Sequence, residues 1–211
     1  MSFRLICLTL VLQLACAGAS QAQRKPKKQT SPVDSGKILD GVYQNRNFAF
    51  TYKIPFGWVD RTDDMRPGAA GGSSPPEGNE KTGEVLLAIF ERPPLAAGDT
   101  VNSAVVITAE SAASYPGLKT AADYFEPLTE LTKSKGFTVV NEPYEVSVGM
   151  KRLVRGDFSK QLNQNLTMRQ SSLVLLSQGY VVQFTFIGSS QDETDQLISR
   201  LTFSPTLRNQ P

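Results

Sequence analysis

A chain of 211 residues with no histidine lacks the commonest general base and the commonest neutral metal ligand. Its two cysteines, Cys7 and Cys16, both lie in the first twenty residues. Serine chemistry without histidine needs a lysine base, and no Ser-x-x-Lys spacing occurs. Phosphate binding has no support either: there is no Gly-x-x-x-x-Gly-Lys loop and no Gly-x-Gly-x-x-Gly run after a strand. Carboxylates are plentiful and cluster twice, as Asp60, Asp63 and Asp64 in "DRTDD" and as Asp192, Glu193 and Asp195 in "DETD". Neither cluster has the ordered ligand spacing or the central glycine of a calcium loop. The second is explained by the positive end of a helix. A paired-carboxylate hydrolase stays formally open, but no spacing singles out a pair. The tripeptide "RGD" at Arg155–Asp157 lies near the end of a predicted strand and matches an adhesive motif by letters alone. "NLT" at Asn165 is a glycosylation acceptor only in a eukaryotic host with that loop exposed. No catalytic, cofactor-binding or metal residue is assigned, no cofactor is expected, and the chain reads as a non-enzyme.

The beginning of the chain supplies the expected compartment. Arg4 precedes the apolar run "LICLTLVLQLACA", and the small residues "GASQA" follow. That order predicts a secretory signal peptide over 1–22, cleaved after Ala22 with Ala19 as the alternative. The run is too short for a convincing transmembrane anchor, so no stable membrane insertion is expected. "QLAC" resembles a lipobox, which makes a lipoprotein at Cys16 the minor alternative, although Gln13 sits where an aliphatic residue belongs. Cleavage after Ala19 or Ala22 leaves a mature chain with no thiol, resting on its own core. The expected location is exported, periplasmic or extracellular.

Residues 23–37 carry five basic residues and one acid, with prolines and no apolar run, and 23–40 reads as a disordered basic linker. From Ile38 onward the balance reverses to 16 Lys+Arg against 19 Asp+Glu. A solvated spacer explains the linker better than attraction to lipid, wall or nucleic acid, and no nucleic-acid partner is expected.

The elements that must position any site follow by period. Phe48, Phe50, Tyr52 and Ile54 alternate as a strand, with Val42 and Tyr43 pairing back across "NRN". Pro55 and Gly57 end it and set Trp58, the only tryptophan, just after a turn. Trp58 is read as a core plug or edge cover for the sheet, with a stacking platform for a ligand as the other reading. Residues 66–83 form a Gly/Pro/Ser-rich mobile loop inside the domain. "EVLLAIFER" and "NSAVVITAES" are apolar enough for central strands. A first helix follows, capped by Thr120 with Asp123, its apolar face Tyr124, Leu128 and Leu131, and a kink expected near Glu126 because of Pro127. Four or five strands succeed it, turning at Gly149 and at "QG". The last carries Val182, Phe184 and Phe186 on one face. A second helix, capped by Ser190 and Glu193, lays Leu197, Ile198 and Leu201 on the sheet. Strands outnumber helices and turns are tight, which predicts an α+β domain with a mostly antiparallel sheet.

"FTYKIPFGW" and "GYVVQFTF…LISRLTF" also resemble the PsbP-like family, which includes the extrinsic photosystem II subunit and shares its fold with a Ran-binding nuclear-transport factor. The matching positions are Pro55, Gly57 and Trp58 early, and Arg200, Leu201 and Phe203 late. The resemblance implies a three-layer α/β/α sandwich over residues 41–205, followed by a tail at 206–211. It brings no binding residue to this chain. The expected function is therefore an exported non-catalytic domain that binds a protein or envelope component, through the sheet edge or the Trp58 region. A small-ligand carrier or carboxylate-based enzyme, using a cleft between helix and sheet, is the alternative. The oligomeric state is left open.

Overall fold

The computed structural model describes residues 33–66, 83–93 and 98–203. The signal peptide, most of the linker, the body of the 66–83 loop and the 206–211 tail lie outside the described residues. The chain opens with a meander of β1 (Lys37–Leu39), β2 (Val42–Asn45) and β3 (Phe50–Lys53). It continues through β4 (Val59–Asp60), β5 (Glu84–Phe90) and β6 (Ala104–Ser111) to the helix α1 (Phe125–Ser134). Then come β7 (Thr138–Val139), β8 (Tyr144–Val148), β9 (Lys151–Asn163), β10 (Leu166–Ser177), β11 (Tyr180–Gly188), α2 (Gln191–Ile198) and β12 (Leu201–Phe203).

These strands form two antiparallel sheets. The large one runs β4-β5-β6-β11-β10-β9-β7, with β8 also paired to β9, and the small one runs β1-β2-β3-β12. Alternation in the long strands divides their side chains between two faces. Leu153, Leu173, Leu175, Val182, Phe184 and Phe186 meet Tyr43, Phe50 and Tyr52 of the small sheet and Leu197 of α2. Val154, Val174 and Val181 on the reverse face meet Phe125 and Leu128 of α1. The result is an α+β sandwich whose middle layer is the large sheet. One outer layer is built by α1 and the other by the small sheet together with α2. Phe50 and Phe184 pack edge-to-face at 5.0 Å across the main core. Each fully buried Phe contributes about 1.5–3 kcal/mol of burial.

Four local readings change. The expected linker over 23–40 is structured at its end, because Lys37–Leu39 pairs with β2 and Asn45 donates to the Asp34 carbonyl at 2.9 Å. Leu131 is exposed, and Thr132 takes its place on the buried face of α1 beside Phe125 and Leu128. A 3-10 turn over Ala122–Tyr124 precedes the α-helix, so the stripe within α1 is counted from Phe125, through Leu128 to Thr132, and not from Tyr124. Pro127 lies in the first turn of α1, where a missing N–H removes no helical bond, so the winding changes before it and the helix continues through it. Leu201 is buried as expected, but as the first residue of β12 beyond the end of α2. Among the described residues, no helix is long and apolar enough to cross a membrane.

Candidate binding surface

Two turns form one end of the small sheet. Asp40 and Gly41, both at positive φ, turn β1 into β2, and the left-handed Gly57 turns β3 into β4. A backbone bond from Ile54 N to the Gly41 carbonyl at 2.9 Å ties the two turns together. Between them lies an open groove of about 800 Å³, lined by Ile38, Lys53, Ile54, Pro55, Phe56, Trp58 and Arg200 with Asp40 and Asp60 at its rim. Trp58 is half-buried, packs against the main core as the first sequence reading expects, and also lines the groove. Phe56, between Pro55 and Gly57 at the tip of the turn, is fully exposed. Ile38 and Leu39 on the neighbouring strand are also exposed. Among the described residues, Lys53, Arg200 and Asp40 have no ion-pair partner. Sequence reasoning reached Trp58 but missed Phe56 and the charges around it. The available signal was an aromatic held between proline and glycine, where a turn projects the side chain outward.

The motifs that looked chemical have other occupations. Arg155 and Asp157 are buried, so the "RGD" letters are not displayed. Arg155 Nε lies 2.8 Å from Asp157 Oδ1, and its Nη2 lies 2.7 Å from Asp195 Oδ1 on α2. Burial opposes the charge on Arg155, but its hydrogen bonds to Asp157 and Asp195 outweigh that and hold its pKa above the ordinary value. Burial likewise pushes Asp157 up, and the donors Ser171, Arg155 and Asn141 outweigh it, holding the carboxyl below the usual range. Gly156 between them packs beneath Phe125, where an added Cβ would meet Cε1 at 2.5 Å. Asn165 is exposed at the β9–β10 turn.

In the first acidic cluster, Asp60 accepts from Thr62, Asp64 pairs with Arg61 at 2.6 Å, and Asp63 pairs with Arg66. In the second, Ser190 Oγ accepts from Glu193 N at 3.1 Å. The Glu193 carboxylate closes the cap one residue earlier than expected, on Ser189 N at 2.8 Å, and it also accepts from Ser103. Burial raises the Glu193 pKa, but the Ser103 and Ser189 bonds prevail and keep it low.

A polar group that sequence reasoning did not single out sits on the α1 side. Tyr115 and Tyr124 both donate to Glu110, the second at 3.1 Å. Burial, reinforced by the Glu110 hydrogen bond, pushes Tyr115 up to about 12. Burial and the Glu110 charge push Tyr124 up as well. Both phenols stay protonated near neutral pH, which suits fixed donors and not proton transfer. The groove between the start of α1 and the sheet, about 360 Å³, contains a single carboxylate, Glu145, which lies 3.9 Å from Arg152. Converging acids with raised pKa values, as a carboxylate enzyme needs, are not gathered there.

No family model matches the chain, and no curated protein does. Solved structures do. The chain is similar to cyanobacterial PsbP from Synechocystis sp. PCC 6803, with 16% identity, a TM-score of 0.49, and coverage of 80% of this chain and 96% of that one. It is also similar to the Saccharomyces cerevisiae Ran-binding protein Mog1p, with 11% identity, a TM-score of 0.42, and coverage of 80% and 86%. LpqN of Mycobacterium tuberculosis, described as involved in cell envelope biogenesis, matches with 17% identity, a TM-score of 0.40, and coverage of 74% and 83%. A PsbP and a Ran-binding protein are also what the sequence resemblance names.

Proposed function

We propose that this chain is an exported, non-catalytic binding domain that docks a protein through the groove between Phe56 and Trp58. The carrying observation is Phe56, a whole phenyl ring in solvent on the rim of an apolar groove. Exposed aromatics beside a groove mark binding surfaces, and aromatic anchors supply most of the energy at such contacts. Lys53, Arg200, Asp40 and Asp60 around the groove mix both signs, which suits a protein surface better than an anionic membrane or nucleic acid. The carboxylates whose pKa is displaced (Asp123, Asp157 and Glu193) are all displaced downward, which favours anions that accept hydrogen bonds over general acids.

Two experiments test the reading. A photo-crosslinking residue placed at Phe56 in the native host should give discrete adducts that the same residue at Glu130 on α1 does not. Equal adducts at both sites would remove the groove from the function. Intact mass of the protein recovered from its host should match a chain beginning at Gln23. A lipidated Cys16 would place the domain on a membrane and overturn the soluble reading.

A further inference from the structure

We infer that the protein filling the groove is a second copy of this chain, related by a two-fold axis that places each Phe56 in the groove of the other. The inference rests on the proposed binding surface and names its occupant. A two-fold contact uses one patch on both molecules, so that patch must be complementary to itself in shape and in charge. This one is. It carries a projecting side chain, Phe56, beside a recess with the apolar floor Ile54, Pro55 and Trp58. Phe56 is fully exposed, so its own groove does not cover it.

The charges complement in the same way. Lys53 and Arg200 supply two cations on the β3–β12 side, while Asp40 on the β1–β2 turn and Asp60 on β4 supply two anions. A patch of one sign would repel its copy, whereas a balanced one admits it. In the two-fold arrangement inferred, with Phe56 seated in the opposite groove, the β1–β2 turn of each copy is placed against β3 of the other. Asp40 then meets Lys53 twice across the axis. Both residues lack an ion-pair partner within the described chain. Exposed Ile38 and Leu39 extend the apolar surface beside the groove. The Ile54–Gly41 backbone bond presets the distance between the turns, so little ordering opposes association.

The test uses the protein purified from its own host. Sedimentation over about a hundredfold range of concentration should show reversible dimerisation by mass action. Phe56→Ser should weaken it by about thirtyfold or more, the scale of a central aromatic anchor. Lys53→Glu and Asp40→Lys should each be monomeric alone and should associate when mixed, because the mixed dimer restores both opposite-charge pairs. Wild-type protein that stays monomeric throughout, or a Phe56→Ser dimer of unchanged affinity, overturns the inference. A mixture no more associated than its components overturns the two-fold placement. Failure here is distinguishable from failure of the binding reading. A monomer that still crosslinks through position 56 to a different envelope protein rejects the second copy and keeps the groove. Absence of any adduct, in purified protein and in the host, rejects both.

Discussion

Arg155 on β9 holds Asp157 at 2.8 Å on its own strand and Asp195 at 2.7 Å on α2, so one guanidinium ties the large sheet to the last helix. Ser171 Oγ donates to Asp157 Oδ1 at 2.6 Å, and Tyr144 donates to its other oxygen at 3.1 Å. Removing one partner of a buried pair leaves an uncompensated charge, which costs about 3–5 kcal/mol. Asp157→Asn should therefore lower stability toward that amount, read by urea denaturation. A loss below about 1 kcal/mol would mean that Asp195 alone satisfies Arg155.

The same carboxyl sets an acid limit. Its folded pKa is depressed below the unfolded value of about 3.9, so the unfolded state binds the proton first as pH falls. The stabilisation is complete above about pH 5 and is lost as pH drops through the folded pKa. Thermal melts between neutral pH and pH 3 should show the wild type losing more stability than Asp157→Asn. Parallel curves would assign the acid sensitivity to other groups, with Glu193 the next to test.

Gly156 is a packing requirement. It faces α1, and a Cβ there would strike the Phe125 ring at 2.5 Å. Overpacking of this kind costs about 1–3 kcal/mol. Gly156→Ala should destabilise the domain by that amount, and Phe125→Leu in the same chain should recover part of the loss. Two effects that simply add, with no recovery, would show that the ring is not what the methyl meets.

Phe184 is fully buried in the core that also takes Phe50, Leu197 and Leu201. Phe184→Ala should cost about 3–5 kcal/mol, the range for removing a buried phenyl. A loss well below 1 kcal/mol would reassign the face of β11.

These sites differ in how far the sequence exposed them. The β11 face was legible because Val182, Phe184 and Phe186 alternate with Gln183 and Thr185, and the burial follows that period. The cap at Ser190 was legible because capping is local. The division into two sheets was not, since β12 finds its partner β3 about 150 residues away (Thr51 and Thr202 meet at 2.7 Å) and no local period encodes that pairing. β1 was hidden because Lys37–Leu39 is three residues long and ends a basic, proline-containing stretch. The burial of Arg155 and Asp157 was hidden for another reason. Two charges at alternate positions of a strand look like its wet face, and only partners distant in sequence, Asp195 on α2 and Tyr144 on β8, make them interior. Of the candidate site, the turn and Trp58 could be read from "PFGW"; Arg200 and Asp40 reach it only through tertiary structure.

Phe56 gives the last prediction, which separates binding from folding. A side chain fully in solvent contributes almost nothing to the core, and surface substitutions of this kind change stability by less than about 0.5 kcal/mol. At concentrations where the wild type is monomeric, Phe56→Ser should thus melt with it, while losing whatever the groove binds. Trp58, the sole tryptophan, reports occupancy directly, because it is half-buried on the groove floor and its indole is partly wet in the free protein. Covering the groove should shift its emission to shorter wavelength, and Phe56→Ser should abolish that shift if the opposing Phe56 is the covering group. Emission that moves equally in wild type and variant would mean that Trp58 senses a different contact. A variant that unfolds early at those same dilute concentrations would mean that Phe56 belongs to the fold and not to the surface.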